Sequence, residues 1–458
     1  MTTKRISPTL SRRRFLASSA ATSAFSFTIV PSYVLGGPGR TPPSERVNFA
    51  GIGAGGQGGG DINQAAALGA NVVALCDVDD DRASGTFKRY PGDRIYNDFR
   101  EMLDKEEKNI DAVTVGTPDH THAVTSMAAI RRGKHVYCEK PLTHTIYEAR
   151  QLALAAEKHN VVTQMGNQGH ATEGARLTNE WIQAGVIGEV REVHVWTDRA
   201  GKYWKQGIGR PKDKPPVPKA LDWDLWLGPA NERPYHPAYA PKRWRGWWDF
   251  GTGAMGDMGC HIVDHPVWAL DLGSPTSVEA VVTLDGLEVD GKRNFETFPI
   301  TTVIYYEFAA RGGLPPVKMT WYEGGLKPPT PSEMPSDSRL PGNGALYVGS
   351  KGKMFHGSPG GMPQLLPLEL VEEARTVAKT MPRSPGHHKE WLLACKGQGK
   401  AISHFGYSGP LTETVLLGVL AQRAPGRRLE WDGDTMKVLN APELNSFVHK
   451  EYRKGWAL

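Results

Sequence analysis

Cysteine is scarce in this chain: Cys76, Cys138, Cys260 and Cys395 are the only four in 458 residues, and no two form a C-x-x-C pair. An even count does not establish bridges, and nothing in this spacing specifies zinc. Cys76 and Cys138 close short apolar runs that read as strands, so buried free thiols are expected there. Beyond the N-terminal segment no apolar run is long enough to cross a bilayer, which argues against a stable membrane span. Nothing resembles an internal repeat. A surplus of charge is lacking too: Lys4, Arg5, Arg12, Arg13 and Arg14 account for the whole formal +5, and residues 37–458 are neutral. The sequence pI of about 8.8 therefore gives no support to a nucleic-acid or polybasic membrane role. What remains, about 420 residues, is enough for two domains with full cores.

The charged N-terminus has its own pattern. Ser11-Arg12-Arg13-Arg14-Phe15-Leu16 precedes an uncharged, small-residue stretch at 17–30 that is too short and too rich in Ser and Thr to span a membrane. Residues 1–36 are expected to be a twin-arginine signal, read by the export machinery that carries folded proteins. Val34-Leu35-Gly36 is a tolerable cleavage site, although no A-x-A stands there. The expected location is the periplasm or another exported compartment. Residues 37–45, rich in Pro and Gly, read as a linker or arm.

From Val47 onward, short β-branched runs at 47–52, 71–76, 112–115 and 135–138 alternate with helical stretches at 61–69, 97–104 and 119–132. Alternation of this kind specifies a parallel sheet with crossover helices over 46–168. The first run ends in Gly53-Ala54-Gly55-Gly56-Gln57-Gly58, the G-x-G-x-x-G spacing. Glycines there permit a tight turn and close approach to a pyrophosphate, whose charge meets the N-terminus of the next helix. Asp77 follows 19 residues after Gly58, placed to accept from both ribose hydroxyls and to repel a 2′-phosphate, which favours NAD over NADP. Loops after later strands carry Thr117-Pro118-Asp119-His120-Thr121-His122 and Glu139-Lys140-Pro141. They fall where a doubly wound sheet lines its ligand crevice.

The set GxGxxG, the acid after the second strand, T-P-x-x-x-H and E-K-P resembles the Gfo/Idh/MocA family of NAD(P)-dependent sugar enzymes, clearly over 46–170. The resemblance implies cofactor contacts from Gly53, Gly55, Gly56, Gln57, Gly58, Asp77, Thr117, Pro118, His122, Glu139 and Lys140. Met165-Gly166-Asn167-Gln168 resembles the family segment that reaches the nicotinamide, which adds Gln168.

The rest of the chain, 169–458, has a helical stretch at 172–184 and extended runs at 189–197, 278–284, 300–308, 317–322 and 345–348. The expected fold is therefore α/β: an N-terminal Rossmann sheet plus a C-terminal α+β domain with a large, predominantly antiparallel sheet. Residues 199–250 form an insertion holding Trp204, Trp223, Trp226, Trp244, Trp247 and Trp248, six of the thirteen tryptophans. Most should pack the insertion itself, with one or two left as a platform for sugar faces. Tyr239 and Arg245 are polar candidates for substrate contact. The insertion leads to Gly256-Asp257-Met258-Gly259-Cys260-His261, where Asp257 and His261 share a helical face. This D-x-x-x-H matches the family's catalytic pair. Asp264 and His265 are further candidates, aimed uncertainly because Pro266 follows. A metal could take such a cluster, but H-E-x-x-H is absent and none is expected. His387 and His388 open a helix and are expected at capping or surface positions.

Lys140, Asp257 and His261 are thus the expected catalytic residues of an oxidoreductase acting on a secondary hydroxyl of a sugar or glycoside, with NAD as cofactor. If NAD is carried out with the folded protein, the hydride cycle must close on one enzyme. That admits a paired-substrate oxidoreductase or, as an alternative, a redox-neutral glycoside hydrolase using transient oxidation at C3. A non-catalytic cofactor-dependent sensor is a further alternative. The resemblance also implies a homo-oligomer joined through the open sheet face.

Overall fold

The computed structural model describes residues 45–458 apart from 93, 285, 286 and 290. The expected export segment and all but the last residue of the expected linker lie outside the described residues. Val47–Leu458 form one compact unit.

Six strands, β1 (Asn48–Ile52), β2 (Asn71–Cys76), β3 (Ile95–Tyr96), β4 (Ala112–Val115), β5 (His135–Cys138) and β6 (Thr163–Met165), pair in parallel in the order β3-β2-β1-β4-β5-β6. The order reverses between β1 and β4, which opens a crevice beyond their carboxyl ends. The crossovers are α1 (Gly56–Ala67), α2 (Asp80–Arg89), α3 (Phe99–Glu106), α4 (Asp119–Ile130) and α5 (Ile146–Lys158). Helix α1 starts at Gly56 rather than near 61. Its glycines have poor helix propensity, but Gly58 sits where a Cβ would overlap the Gly53 carbonyl oxygen, so close packing takes precedence. The sequence reading missed α2, whose mean apolarity is low; it is set by Asp79, whose side chain accepts from the Arg82 N–H at 3.0 Å.

The second sheet has nine strands: β7 (Val190–Trp196), β8 (Ser277–Val282), β11 (Thr302–Phe308), β12 (Val317–Tyr322), β13 (Gly344–Gly349), β14 (Lys353–Gly357), β15 (Gln364–Leu366), β16 (Leu429–Asp432) and β17 (Lys437–Val438); β9 (Glu288–Val289) and β10 (Lys292–Arg293) form a separate hairpin. Its order is β15-β14-β13-β7-β12-β11-β8-β16-β17, and only the β7–β12 pair is parallel. The sheet is mostly antiparallel, as expected from strands gathered after the βαβ region. One face is buried through Ile304, Tyr306, Met319 and Trp321, while Val281 and Tyr305 on the other are exposed.

The helices after β6 are α6 (Glu173–Gln183), α7 (Trp223–Leu227), α8 (Gly253–Ile262), α9 (Asp264–Ala269), α10 (Leu370–Thr376), α11 (His387–Cys395) and α12 (Phe405–Ala421). The chain returns late to its beginning: α11 packs on α1, and α12 packs on α5, α8 and β8. His387 and His388 are therefore interior rather than capping or surface residues. The first lies 2.7 Å from the Met165 carbonyl and the second 3.1 Å from Asp61. All four cysteines are unpaired, and burial pushes the Cys76 and Cys138 thiols up.

Candidate active site

A cleft of about 570 Å³ runs from the glycine loop after β1 to the aromatic insertion. Gly53 has φ +81°, and a Cβ there would come within 2.6 Å of the Gly116 backbone; only glycine allows the loops after β1 and β4 to close up in this way. Gly55, Gly56 and Gln57 line the cleft at the N-terminus of α1, whose first N–H groups have no partner within the helix and would face a phosphate. Asp77 directly follows β2 and lines the same cleft; its Oδ2 accepts from the Gly55 N–H at 3.0 Å. Burial raises its pKa. These residues fit an NAD: glycines that leave room for the pyrophosphate, and an acid at the ribose position. Gly58 stands one layer back, joining α1 to the loop.

Thr117, Pro118, His122, Glu139, Lys140 and Gln168 all line the cleft. The ring nitrogens of His122 lie 2.8 Å from the carbonyl oxygens of Pro141 and Thr117, so it ties the loops after β4 and β5 together. Gln168 donates to Glu139 Oε1 at 2.8 Å. Burial and the nearby Asp61 push the Glu139 pKa up to about 7.

At the end of the cleft away from the glycine loop, α8 presents Asp257 and His261 on one face. Its glycines permit close packing: a Cβ on Gly259 would lie 2.9 Å from Val415 Cγ1 of α12. Lys140 Nζ donates to Asp257 Oδ1 at 3.0 Å and to its carbonyl oxygen at 2.8 Å. Arg245 Nε donates to the same Oδ1 at 3.0 Å, and Arg199 lies 3.8 Å from Oδ2. Burial alone would raise the Asp257 pKa, but Lys140 and then Arg245 hold it well below the usual carboxylate range. His261 lines the cleft, and its buried Nδ1 has no protein partner. Burial, reinforced by the charge of Lys140, lowers its pKa to about 3, so it is neutral at ordinary pH.

Of the four proposed substrate contacts, the structure brings only Arg245 to the cleft. Tyr239 is buried among Trp247, Phe250 and Trp223, with the Trp247 ring 4.7 Å away. Its polar group thus serves the insertion's own packing. Helix α8 stops at Ile262 and α9 restarts at Asp264, which turns the next side chains inward. Asp264 accepts from the Tyr407 hydroxyl at 2.6 Å and lies 3.0 Å from His170 Nδ1, and His265 packs on His356.

Sequence reasoning missed several lining residues. Asp119 lies inside the T-P-x-x-x-H motif; its Oδ2 accepts from the Thr252 hydroxyl at 2.6 Å, and burial pushes its pKa up to about 7. Arg199, Tyr203, Lys242 and Trp456 also line the cleft. Only their position in or near the insertion could have signalled the first three, and nothing local marks Trp456. Within the insertion, Trp204, Trp226 and Trp244 reach the cleft, while Trp223 and Trp247 pack with Phe250 and Tyr239.

Residues 46–167 match the model of an oxidoreductase family with an NAD-binding Rossmann fold, and 173–294 match that family's C-terminal alpha/beta domain. A levoglucosan dehydrogenase from Pseudarthrobacter phenanthrenivorans is 24% identical over 209 residues, 46% of this chain and 44% of that protein. The chain thus spans less than half the length of that relative. Among solved structures, an inositol dehydrogenase homolog from Azotobacter vinelandii, complexed with NADH and myo-inositol, superposes with TM-score 0.56 at 16% identity, covering 84% of this chain and 98% of that one. The WlbA dehydrogenase from Bordetella pertussis, in complex with NADH and UDP-GlcNAcA, gives 0.58 at 17% identity over 84% and 99%. These two likenesses carry the fold. Matched by two domain models of one family that together cover more than half of its residues, the chain belongs to the Gfo/Idh/MocA oxidoreductase family.

Proposed function

We propose that this protein is an NAD-dependent oxidoreductase that acts on a secondary hydroxyl of a sugar or glycoside and keeps its cofactor tightly held. The observation that carries this reading is the meeting of Lys140, Asp257 and His261 at one end of a cleft whose other end is a dinucleotide loop. When bound, NAD supplies the hydride acceptor.

The chain's own groups supply the rest. Lys140 gives two N–H donors to Asp257 and keeps a third for a substrate oxygen gaining alkoxide character. His261, neutral and with Nδ1 unengaged, accepts the hydroxyl proton. Asp257, ionised through Lys140 and Arg245, holds the lysine in place and stabilises the imidazolium one helical turn away. The matched relatives named for levoglucosan and inositol support a polyhydroxylated ring as substrate. Export rests on Arg12-Arg13-Arg14-Phe15-Leu16; outside the cytoplasm a lost cofactor is not replaced, hence the tight hold. The exposed Val281 and Tyr305 support association of copies through that sheet face.

Expression of the full chain in a host with a twin-arginine system tests this reading. The protein should be recovered outside the cytoplasm with NAD bound, and a panel of methyl and aryl glycosides should reduce that NAD or a paired carbonyl substrate. Lys140→Ala and His261→Ala should each lower turnover by roughly 10²–10⁴-fold with NAD retained. Asp257 keeps Arg245 and Arg199 as partners in the lysine variant, so folding should survive. Wild-type rates in both variants would sink the assignment. Aglycone release without net redox would point to the glycoside hydrolase instead.

A further inference from the structure

The polar end of the cleft is over-supplied with positive charge. Lys140, Arg245 and Arg199 surround Asp257, a single carboxylate that is 5% exposed. Lys242, an exposed residue, also lines the cleft. Other acids on the cleft do not correct this balance: Asp119 is sealed against Thr252, Glu139 against Gln168, Asp77 faces the glycine loop, and Asp79 caps α2 through the Arg82 N–H. An oxidised nicotinamide would add one more positive charge at this end. An anionic group on the substrate would meet this surplus in the partly enclosed cleft, where charges are screened less than in bulk water.

The two arginines are also shaped to receive an anion. Arg245 uses only Nε on Asp257, and its terminal amino groups make no hydrogen bond among the described residues. Its guanidinium carbon lies 4.2 Å from the Trp244 ring centroid, and that of Arg199 lies 4.6 Å from Tyr203. Stacking of this kind fixes the plane of the fork without consuming its donors. The side chains are 29% and 36% exposed, and both line the cleft.

We propose that the substrate is a sugar or glycoside bearing a carboxylate, which Arg245 and Arg199 bind through their free guanidinium donors while Lys140 addresses the reacting hydroxyl. Each guanidinium offers a planar fork of donors, which matches the two coplanar oxygens of a carboxylate. The inference rests on the oxidoreductase reading for the role of Lys140, but its binding half can be measured without turnover.

Calorimetric titration of the NAD-loaded protein with methyl glucuronide, methyl glucoside and methyl glucoside 6-phosphate separates the outcomes. The uronide should bind roughly ten- to a hundredfold more tightly than the neutral glucoside, the worth of one or two charge-assisted hydrogen bonds. That advantage should fall with added salt and should disappear in Arg199→Gln and Arg245→Gln, with NAD affinity unchanged. Equal or tighter binding of the neutral glycoside overturns the proposal, as does preference for the phosphate. NADH formation on the same sugars is scored separately: tight uronide binding without any turnover would refute the oxidoreductase reading and leave the anion site standing.

Discussion

Asp119 shows how burial can reverse the usual behaviour of a carboxyl group. It opens α4, where an ionised acid would favour the helix N-terminus, yet it is 3% exposed and its pKa is pushed up to about 7. Its carboxyl stays protonated in the fold while it ionises in the unfolded chain near pH 4. The unfolded state therefore binds fewer protons, and this residue's contribution to stability falls as pH rises from about 4 to 7. Asp119→Asn removes that dependence. The stability of the variant relative to wild type, from urea titrations, should rise across this window by on the order of a few kcal/mol and level off above pH 7. A difference that stays flat with pH would show that Asp119 is ionised in the fold. Its place in T-P-x-x-x-H was legible in the sequence, but its protonation was not, because burial by distant segments raises the pKa against the opposing pull of Arg245 and the Thr252 hydroxyl.

At the scale of elements, α8 decides the site. The sequence places Asp257 and His261 one turn apart, and that spacing alone puts them on one face. The position of that face depends on Gly259, whose missing side chain lets α8 lie against Val415 of α12. Gly259→Leu should overpack this contact at a cost of about 1–3 kcal/mol and displace both proposed catalytic groups. The expected result is a large loss of kcat with the Kd for NAD unchanged, because the glycine loop lies on other elements. Equal loss of both would mean that the two sheets move together. The break between α8 and α9 worked against sequence reasoning. Asp264 and His265 look like continuations of the same helical face, but a restart at Asp264 directs them to His170, Tyr407 and His356.

At the scale of the whole molecule, the end of the chain closes the site that its beginning opens. Arg453 binds Asp224, and Trp456 lies 6.1 Å from Phe99 by ring centroids, with the Arg100 guanidinium 4.3 Å from its ring. Trp456 and Phe99 line the cleft beside Asp77, Val78 and Asn97, the end where the adenosine of NAD belongs. Trp456→Ala should weaken NAD binding about tenfold or more, the worth of stacking one base on an aromatic ring, measured by calorimetry on stripped protein. An unchanged Kd would reduce the tail to a structural strap. No residue near 456 hints at this role, since it depends on a contact spanning most of the chain.

The amino-acid sequence by itself determined what local geometry and side-chain chemistry dictate: the glycine loop, the acid after β2, E-K-P after β5, D-x-x-x-H on one helical face, and two kinds of sheet. Each follows from backbone periodicity or from a spacing of fewer than 25 residues. Only the tertiary structure decided which charges meet. Lys140 faces Asp257 across more than a hundred residues, Arg199 and Arg245 join them from the insertion, and Tyr239 turns into its own aromatic cluster. Those outcomes depend on how elements pack and on what burial does to charge, and no window along the chain contains both partners.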